Sequence, residues 1–321
     1  MSARARLATP RGRAAALAVV DIACDSAQEL DESLKILGLD ALALGEVRLT
    51  SLAGVDKGLA IRWAPEFAQL TPHGGVAVTD ALLAAIRSCG IAIHDEIDPP
   101  AAYPEARSKV EARALGVLAQ AQSPLAVDLL LAQHDRWLRG AREIDAELTE
   151  ADRRLNHLIH PPLVVVAGPA NVGKSSLLNA LAGRELALTA DLPGTTRDHV
   201  GAAIDLGGLV VCWSDTPGLR AAVGVESEAI GVARQLIGSC DLLIAAGDIE
   251  SGDPRDALDR DPDLTVALRS DLGEPEWATD ASVSVKTGNG VGKLVRLVRE
   301  TLVPSEILAS TEPWKFWTQS E

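Results

Sequence analysis

Cysteine is scarce in this chain. Its 321 residues hold four, Cys24, Cys89, Cys212 and Cys240, and no two form a CxxC pair or sit in a histidine cluster. A zinc site and a disulfide framework are thereby excluded, and a reducing compartment fits. Positive charge is also short, with 30 Lys and Arg against 45 Asp and Glu and a net charge of −15. A basic nucleic-acid-binding face is therefore not the organising theme. No run of about 18 apolar residues occurs, so no membrane helix is expected. Near the start, Arg4, Arg6, Arg11 and Arg13 precede the apolar run Ala14–Val20, which loosely imitates a signal peptide. Asp21 cuts that run short, and no alanine-type cleavage site follows, so we read a strand–loop–strand in a cytoplasmic protein. What the chain does have is 47% apolar and 23% charged residues, enough for a sizeable core. The length suits one large domain or two to three ordinary ones.

Pattern divides the chain into four parts. Residues 1–104 read as a small α+β domain. Strands are expected at Arg4–Ala8, Ala15–Ile22, Glu46–Leu52, Leu59–Trp63 and Phe67–Leu70. Helices are expected at Ser26–Leu37, capped by Ser26, and at Val76–Ser88. Asp98-Pro99-Pro100 and Pro104 mark a linker. Residues 105–160 are a helical segment. Val127, Leu130, His134, Trp137, Ala141, Ile144, Leu148, Ala151, Leu155 and Leu158 keep a 3-4-3-4 spacing, which predicts one apolar seam along a helix of about thirty residues. The seam serves either an internal helix contact or a dimer. His134 lies on it and reads as a packed histidine rather than a metal ligand.

Residues 161–304 alternate strand and helix, the pattern of a parallel α/β sheet. Leu163–Ala167 is a near-continuous apolar strand, as expected when both faces of a sheet are covered. Gly207-Gly208 joins strands Ala202–Leu206 and Leu209–Ser214 as a hairpin. Leu242–Ala246, Leu264–Leu268 and Val283–Val285 read as further strands, and Val291–Leu302 as the last helix. Residues 305–321 form a tail in which Trp314, Phe316 and Trp317 cluster. It is expected to pack back on the protein, with a partner surface as the alternative.

Gly168-Pro-Ala-Asn-Val-Gly173-Lys174-Ser175 fits G-x-x-x-x-G-K-[ST], between a strand and a helix as a phosphate-binding loop requires. Backbone N–H groups of such a loop face the phosphates, and the helix N-terminus adds a positive dipole end. Lys174 should reach the β- and γ-phosphates, and the Ser175 hydroxyl should ligate Mg²⁺. Asn171, Val172, Gly173 and Ser176 complete the expected nucleotide-binding loop. Two further elements follow in the order of a P-loop NTPase. Asp215-Thr-Pro-Gly218 ends an apolar strand, where the carboxylate can hold Mg²⁺ and the Gly218 N–H can meet the γ-phosphate. Between them lie Thr195 and Thr196, where a threonine can close the metal shell while a γ-phosphate is present. The expected fold class is thus an α/β P-loop NTPase with a Ras-like G domain, preceded by an α+β domain and a helical linker domain.

The stretch AGPANVGKSSLLNALAGRELALTADLPGTTRD, followed by DTPGLR, resembles the G domain of the tRNA modification GTPase MnmE (TrmE) family over roughly residues 163–303. More weakly, LATPRGRAAALAVVDI resembles that family's ATPPGRGG opening, and LTPHGGVAVTDALLAAI its GHGG strand–helix. The resemblance implies an N-terminal folate-binding domain that dimerises, a helical domain and a G domain inserted into it. It implies potassium in place of a catalytic glutamine, with Asn171 as the potassium ligand. The reading of Asn171 as a plain turn residue stays open. It also implies a water-orienting glutamate at Glu228, within Glu-Ala-Ile-Gly231, with Glu226 as the competing position.

Departures from the family are equally visible. No Cys-Ile-Gly-Lys motif is present, the loop before the GHGG-like strand shrinks to Ala64-Pro65-Glu66, and Asp95–Tyr103 replaces a Pro-Gly-Glu-Phe segment. These weigh against folate and against tRNA-modifying chemistry, and leave the nucleotide switch untouched. Where the family reads guanine with Asn-Lys-x-Asp, this chain has Leu268-Arg269-Ser270-Asp271. The resemblance assigns base recognition to Asp271, stacking to Arg269 and a backbone contact to Ser284 and Val285. Leu268 cannot make the asparagine's hydrogen bonds.

The sequence is therefore expected to encode a GTP-binding protein with potassium-assisted hydrolysis, MnmE-like, switching by G-domain dimerisation. It would use Mg²⁺ and K⁺ and form a homodimer. Glu228, Lys174 and Gly218 would be its catalytic groups, with Mg²⁺ on Ser175, Thr196 and Asp215. Two alternatives stand. One is an active partner of an MnmG-like flavoprotein in wobble-uridine modification, meeting tRNA only indirectly. The other is a nucleotide-binding regulatory or assembly protein whose hydrolysis is incidental.

Overall fold

The computed structural model describes residues 3–9, 11–12, 14–183, 187–188, 201–215 and 226–317, with the side chains of 187–188, 201, 226–230 and 232–233 left aside. The chain separates into two compact units, Met1–Ala119 and Gln120–Glu321.

The first unit is built on a six-stranded sheet. Its strands are β1 (Arg4–Leu7), β2 (Val20–Ala23), β3 (Val47–Leu52), β4 (Asp56–Ala64), β5 (Phe67–Thr71) and β6 (Ala92–Ile93), in the order β3-β4-β5-β2-β1-β6. All pairings are antiparallel except β1–β6. Helix α1 (Ala27–Ile36) starts at Ser26, whose hydroxyl accepts the Glu29 N–H, and buries Leu30 and Leu34 one turn apart. Helix α2 (Val76–Ser88) buries Thr79, Leu82, Leu83 and Ile86, a stripe with helical period. These faces share one core with Val20, Ile22, Leu52 and Leu70 of the sheet. Two short elements, α3 (Pro99–Ala102) and α4 (Lys109–Leu118), close the unit. The strand expected at Ala15–Ile22 is shorter than predicted. Ala15 and Ala18 hydrogen-bond to Gly74 and Pro72, Leu17 makes only an isolated bridge to His73, and the ladder begins at Val20.

The second unit begins with helices α5 (Leu125–Leu131), α6 (Gln133–Arg139) and α7 (Glu150–Asn156). The thirty-residue helix expected from the apolar seam does not form. Gly140, in an extended conformation, ends α6, and Thr149 and Asp152 form a capping box that starts α7 afresh. The intervening turn is held by Arg142, whose guanidinium bonds both Asp152 oxygens and the carbonyls of Glu147 and Pro313. The tail packs back here, as expected. Trp314 is buried, its N–H groups bonded to Gln133 and Asn156, while Phe316 meets Trp314 and Trp317 edge-on and Trp317 lies tilted against Trp137.

The rest of this unit is a seven-stranded sheet. Its strands are β7 (Leu163–Ala167), β8 (Ala187–Leu188), β9 (Gly201–Asp205), β10 (Val210–Asp215), β11 (Leu242–Gly247), β12 (Leu264–Ala267) and β13 (Ala281–Ser282), in the order β13-β12-β11-β7-β10-β9-β8. Strands β13 to β10 run parallel, and β9 and β8 are antiparallel additions. Helices α8 (Lys174–Leu181), α9 (Glu226–Ser239) and α10 (Val291–Leu302) complete it, followed by the short α11 (Ser305–Leu308). Strand β11 is buried at every residue, as its unbroken apolar run requires. The last strand forms two residues earlier than expected, at Ala281–Ser282. Val283 still donates to Ala267 O, but Ser284 turns away to bond Asn289 O.

The Gly207-Gly208 hairpin forms between β9 and β10 as predicted. The helical segment meets it directly: Leu125 donates to Gly208 O at 3.1 Å and the Ser123 hydroxyl accepts the Val210 N–H at 3.0 Å. Among the described residues no helix is long and apolar enough to cross a membrane.

Candidate functional site

The sheet order places the site. Strand β7 lies between β10 and β11, and the chain leaves it before the order reverses, so the carboxyl end of β7 is a topological switch point. The loop after β7 leads straight into α8. Gly168 has φ 157°, and a Cβ there would lie 1.9 Å from Ala246 O of β11, so only glycine lets the loop leave the sheet along this path. Gly173 has φ 108° and caps α8 in the left-handed region. Asn171 also holds a positive φ of 66°, and its side chain is exposed. Val172 is buried and anchors the loop. The Lys174 ammonium lies under the loop, donating to Gly168 O at 3.1 Å and Pro169 O at 2.8 Å. Burial pushes its pKa down, and the Asp215 carboxylate opposes that shift. Ser176 is exposed on the first turn of α8.

Ser175 and Asp215, forty residues apart, meet. The Ser175 hydroxyl donates to Asp215 Oδ2. Asp215 ends β10 beside β7, and its Oδ1 is buried with no hydrogen-bond partner among the described residues. A hydroxyl and a buried carboxylate oxygen with spare acceptor capacity are the donor set a Mg²⁺ ion takes, so these residues fit the metal that a P-loop implies.

On the other side of the loop, residues 268–271 follow β12. Leu268 is buried, its N–H bonded to Gly247 O. Arg269 takes a left-handed φ of 54°, and Ser270–Leu272 form a 3₁₀ turn. Asp271 Oδ1 accepts the Ser284 hydroxyl at 2.7 Å, and Lys286 lies 3.6 Å from Oδ2. The Ser284 hydroxyl holds the Asp271 carboxyl below the usual carboxylate range, and Lys286 adds to this. The structure thus brings the P-loop, Asp215, Arg269, Asp271 and Ser284 to the carboxyl edge of one sheet. Ser284 uses its amide on Asn289 O and its hydroxyl on Asp271, and Val285 follows it in the same loop. Thr195, Thr196 and Gly218 lie outside the described residues. Glu226 and Glu228 lie in α9, but their side chains are outside the described set.

One residue of this edge was not anticipated. Asp248 follows β11 and is buried, and its Oδ2 accepts Arg269 Nη1 at 2.8 Å. The signal was present in the sequence as a carboxylate closing an unbroken apolar strand, the same pattern that marks Asp215.

The 50S ribosome-binding GTPase family matches residues 163–269. The tRNA modification GTPase MnmE of Acidiphilium cryptum is 31% identical over 297 aligned positions, which cover 76% of this chain and 68% of that protein. The tRNA modification GTPase MnmE of Maricaulis maris is 30% identical over 367 positions, covering 94% and 83%. Among solved structures, the cytosolic domain of the T. maritima FeoB iron transporter in a GDP form is 24% identical over 44% of this chain and 64% of that one, with a TM-score of 0.34. A Ras-like G domain with its P-loop in place, and relatives at 30–31% identity whose likeness covers 76% and 94% of the chain, make this protein a GTPase belonging to the MnmE family.

Proposed function

We propose that the chain hydrolyses GTP with Mg²⁺ and K⁺ bound, and that it works as a homodimer whose G domains, residues 161–304, pair during turnover. The observation that carries the reading is the meeting of Ser175 and Asp215 beside a loop whose lysine is already placed under it. Ser175 and Asp215 would hold Mg²⁺, with Thr196 as a third ligand, and Asn171 would hold K⁺. Such ions offset the charge that builds between the β- and γ-phosphates. Lys174 binds the phosphates, the Gly218 amide meets the γ-phosphate, and Glu228 orients the attacking water. Asp271 accepts the two guanine donors, and Arg269 lies against the base.

Turnover in KCl against NaCl tests this. Hydrolysis should run several-fold faster in potassium, and Asn171→Ala should abolish the difference while the protein stays folded. Equal rates in the two salts would refute the potassium role. A second reading is supported by the relatives' tRNA modification: the chain acts with an MnmG-like flavoprotein on the wobble uridine of tRNA. Restored modified uridine in an MnmE-deficient strain expressing this chain would favour it. The family's folate would sit in the N-terminal domain, and the altered loops at Ala64-Pro65-Glu66 and Asp95–Tyr103 weigh against it.

A further inference from the structure

Arg269 stands where the family has lysine, and Leu268 where it has asparagine. The asparagine's place in the site is thus filled by a side chain without polar atoms, buried at 2% exposure. Backbone bonds from Leu268 to Gly247 O and from Ser270 to Val283 O hold this loop, but side-chain bracing must come from another residue. Leu268 and Arg269 both border the P-loop, and of the two only Arg269 carries polar atoms. A Cβ added on Gly173 would meet Arg269 Cγ at 3.8 Å and Leu268 Cβ at 4.0 Å, so the arginine stem borders the P-loop beside Leu268. Its Nη1 then reaches Asp248 Oδ2 at 2.8 Å and Glu250 Oε2 at 3.4 Å.

Asp248 is itself immobilised. Its Oδ1 accepts the N–H groups of Glu250 and Ser251, its own N–H donates to the Ser251 hydroxyl, and its side chain is 3% exposed. A guanidinium tethered at Nη1 by a fixed carboxylate is held near one position, and a flat, weakly hydrated cation is a stacking surface for an aromatic base. A lysine ammonium has no such plane. The left-handed backbone at Arg269 is a conformation that non-glycine residues adopt at a cost, and it sets the stem on this path.

We propose that Asp248 is a positioning residue for nucleotide binding, fixing Arg269 against the P-loop as the shelf on which the base stacks and supplying the bracing that Leu268 cannot. The inference rests on the reading of residues 269–271 as the base site. It predicts a loss that depends on the presence of a base but not on which purine is present. Asp271, not Arg269, meets the exocyclic amine.

The test uses the full chain with a fluorescent GDP analogue, and GDP, IDP and inorganic tripolyphosphate as competitors. Asp248→Asn should weaken the analogue about fivefold or more. GDP and IDP should lose by the same factor, while tripolyphosphate competes as before. Arg269→Ala should lose at least as much, and the double variant should lose no more than Arg269→Ala alone. Unchanged affinity in Asp248→Asn, losses that multiply in the double variant, or an equal loss for tripolyphosphate would each overturn the proposal. Should Asp248→Asn fail to fold, Arg269→Lys on the part-exposed partner carries the test. It keeps the charge, lacks the planar fork and should weaken GDP at least threefold, and unchanged affinity would again overturn the idea. If the unsubstituted chain does not bind the GDP analogue at all, the base-site reading fails together with the proposal. Binding by the unsubstituted chain with no effect of Asp248→Asn defeats the proposal alone.

Discussion

Asp152 ties the tail to the helical segment, and replacing it with Asn should be costly in a pH-dependent way. The side chain is 2% exposed. Its Oδ1 accepts Arg142 Nη1 at 2.9 Å and the Lys315 N–H at 2.8 Å. Its Oδ2 accepts Arg142 Nη2, the Thr149 N–H at 2.7 Å and the Thr149 hydroxyl at 2.8 Å. Every neighbour is a donor, so an amide NH₂ in either position confronts at least two of them, and Arg142 loses its counter-charge. Charge-assisted bonds are worth ~1.5–3 kcal/mol each, and breaking a buried pair costs ~3–5 kcal/mol. We expect Asp152→Asn to lower unfolding free energy by about 3 kcal/mol at pH 7. The sign of the pH dependence follows from the carboxyl group. Burial works to raise its pKa, but Arg142 and the N–H groups of Lys315 and Thr149 outweigh that and hold it below the ordinary value. A depressed folded pKa stabilises the fold above the unfolded value of about 3.9, and the stabilisation is lost as pH falls through the folded value. The gap between the two proteins should therefore shrink in acid. Urea unfolding followed by tryptophan emission measures it, since buried Trp314 directly precedes Lys315, whose N–H the carboxylate accepts. A variant with an unchanged midpoint at pH 7, or a gap that stays constant from pH 7 to pH 3, would refute the reasoning.

Further outcomes are expected at the phosphate loop and the base site. Lys174→Ala removes the loop's only cation and should weaken GTP at least tenfold by calorimetry, since charged phosphate bonds are worth ~1.5–3 kcal/mol each. Gly168→Ala places a methyl 1.9 Å from Ala246 O, so the P-loop or β11 must move, and we expect about 3 kcal/mol lost in denaturant titration together with weakened GTP binding. If Asp271, held by the Ser284 hydroxyl, reads the base as proposed, GTP should be preferred over ATP tenfold or more in competition, with ITP between them.

Much of this architecture was legible in the residues because the signals were local. Leu163–Ala167 is an apolar run closed by a glycine, and Val76–Ser88 has helical period after two glycines, and both elements have the predicted limits. The thirty-residue helix failed for a reason spacing cannot carry. Periodicity counts apolar positions, but a helix continues only if its backbone has nowhere better to bond. Here Thr149 and Asp152 cap a new start, and Arg142 bonds the Glu147 carbonyl of the turn and the Pro313 carbonyl of the tail. The strand at Val283–Val285 was displaced in the same way, because Ser284 and Thr287 bond within their own loop.

The site divides along the same line. The P-loop was legible because its chemistry depends on residue type at fixed spacing, and Asp215 because a carboxylate at the end of an apolar strand has one place to point in a doubly wound sheet. Asp248 ends a strand in the same manner, yet no spacing rule ties it to Arg269, twenty-one residues on. Their contact is set by the register of β11 beside β12, which puts Gly247 opposite Ala267, and by the left-handed turn at Arg269 that swings the guanidinium back across the strand ends. The degenerate guanine motif, read by itself, keeps Asp271 for the base and lacks the asparagine's hydrogen bonds at Leu268. With β11 and β12 side by side, the position lost from one strand end is supplied by a carboxylate on the next, and the bracing of the base loop passes from residue 268 to the Asp248–Arg269 pair.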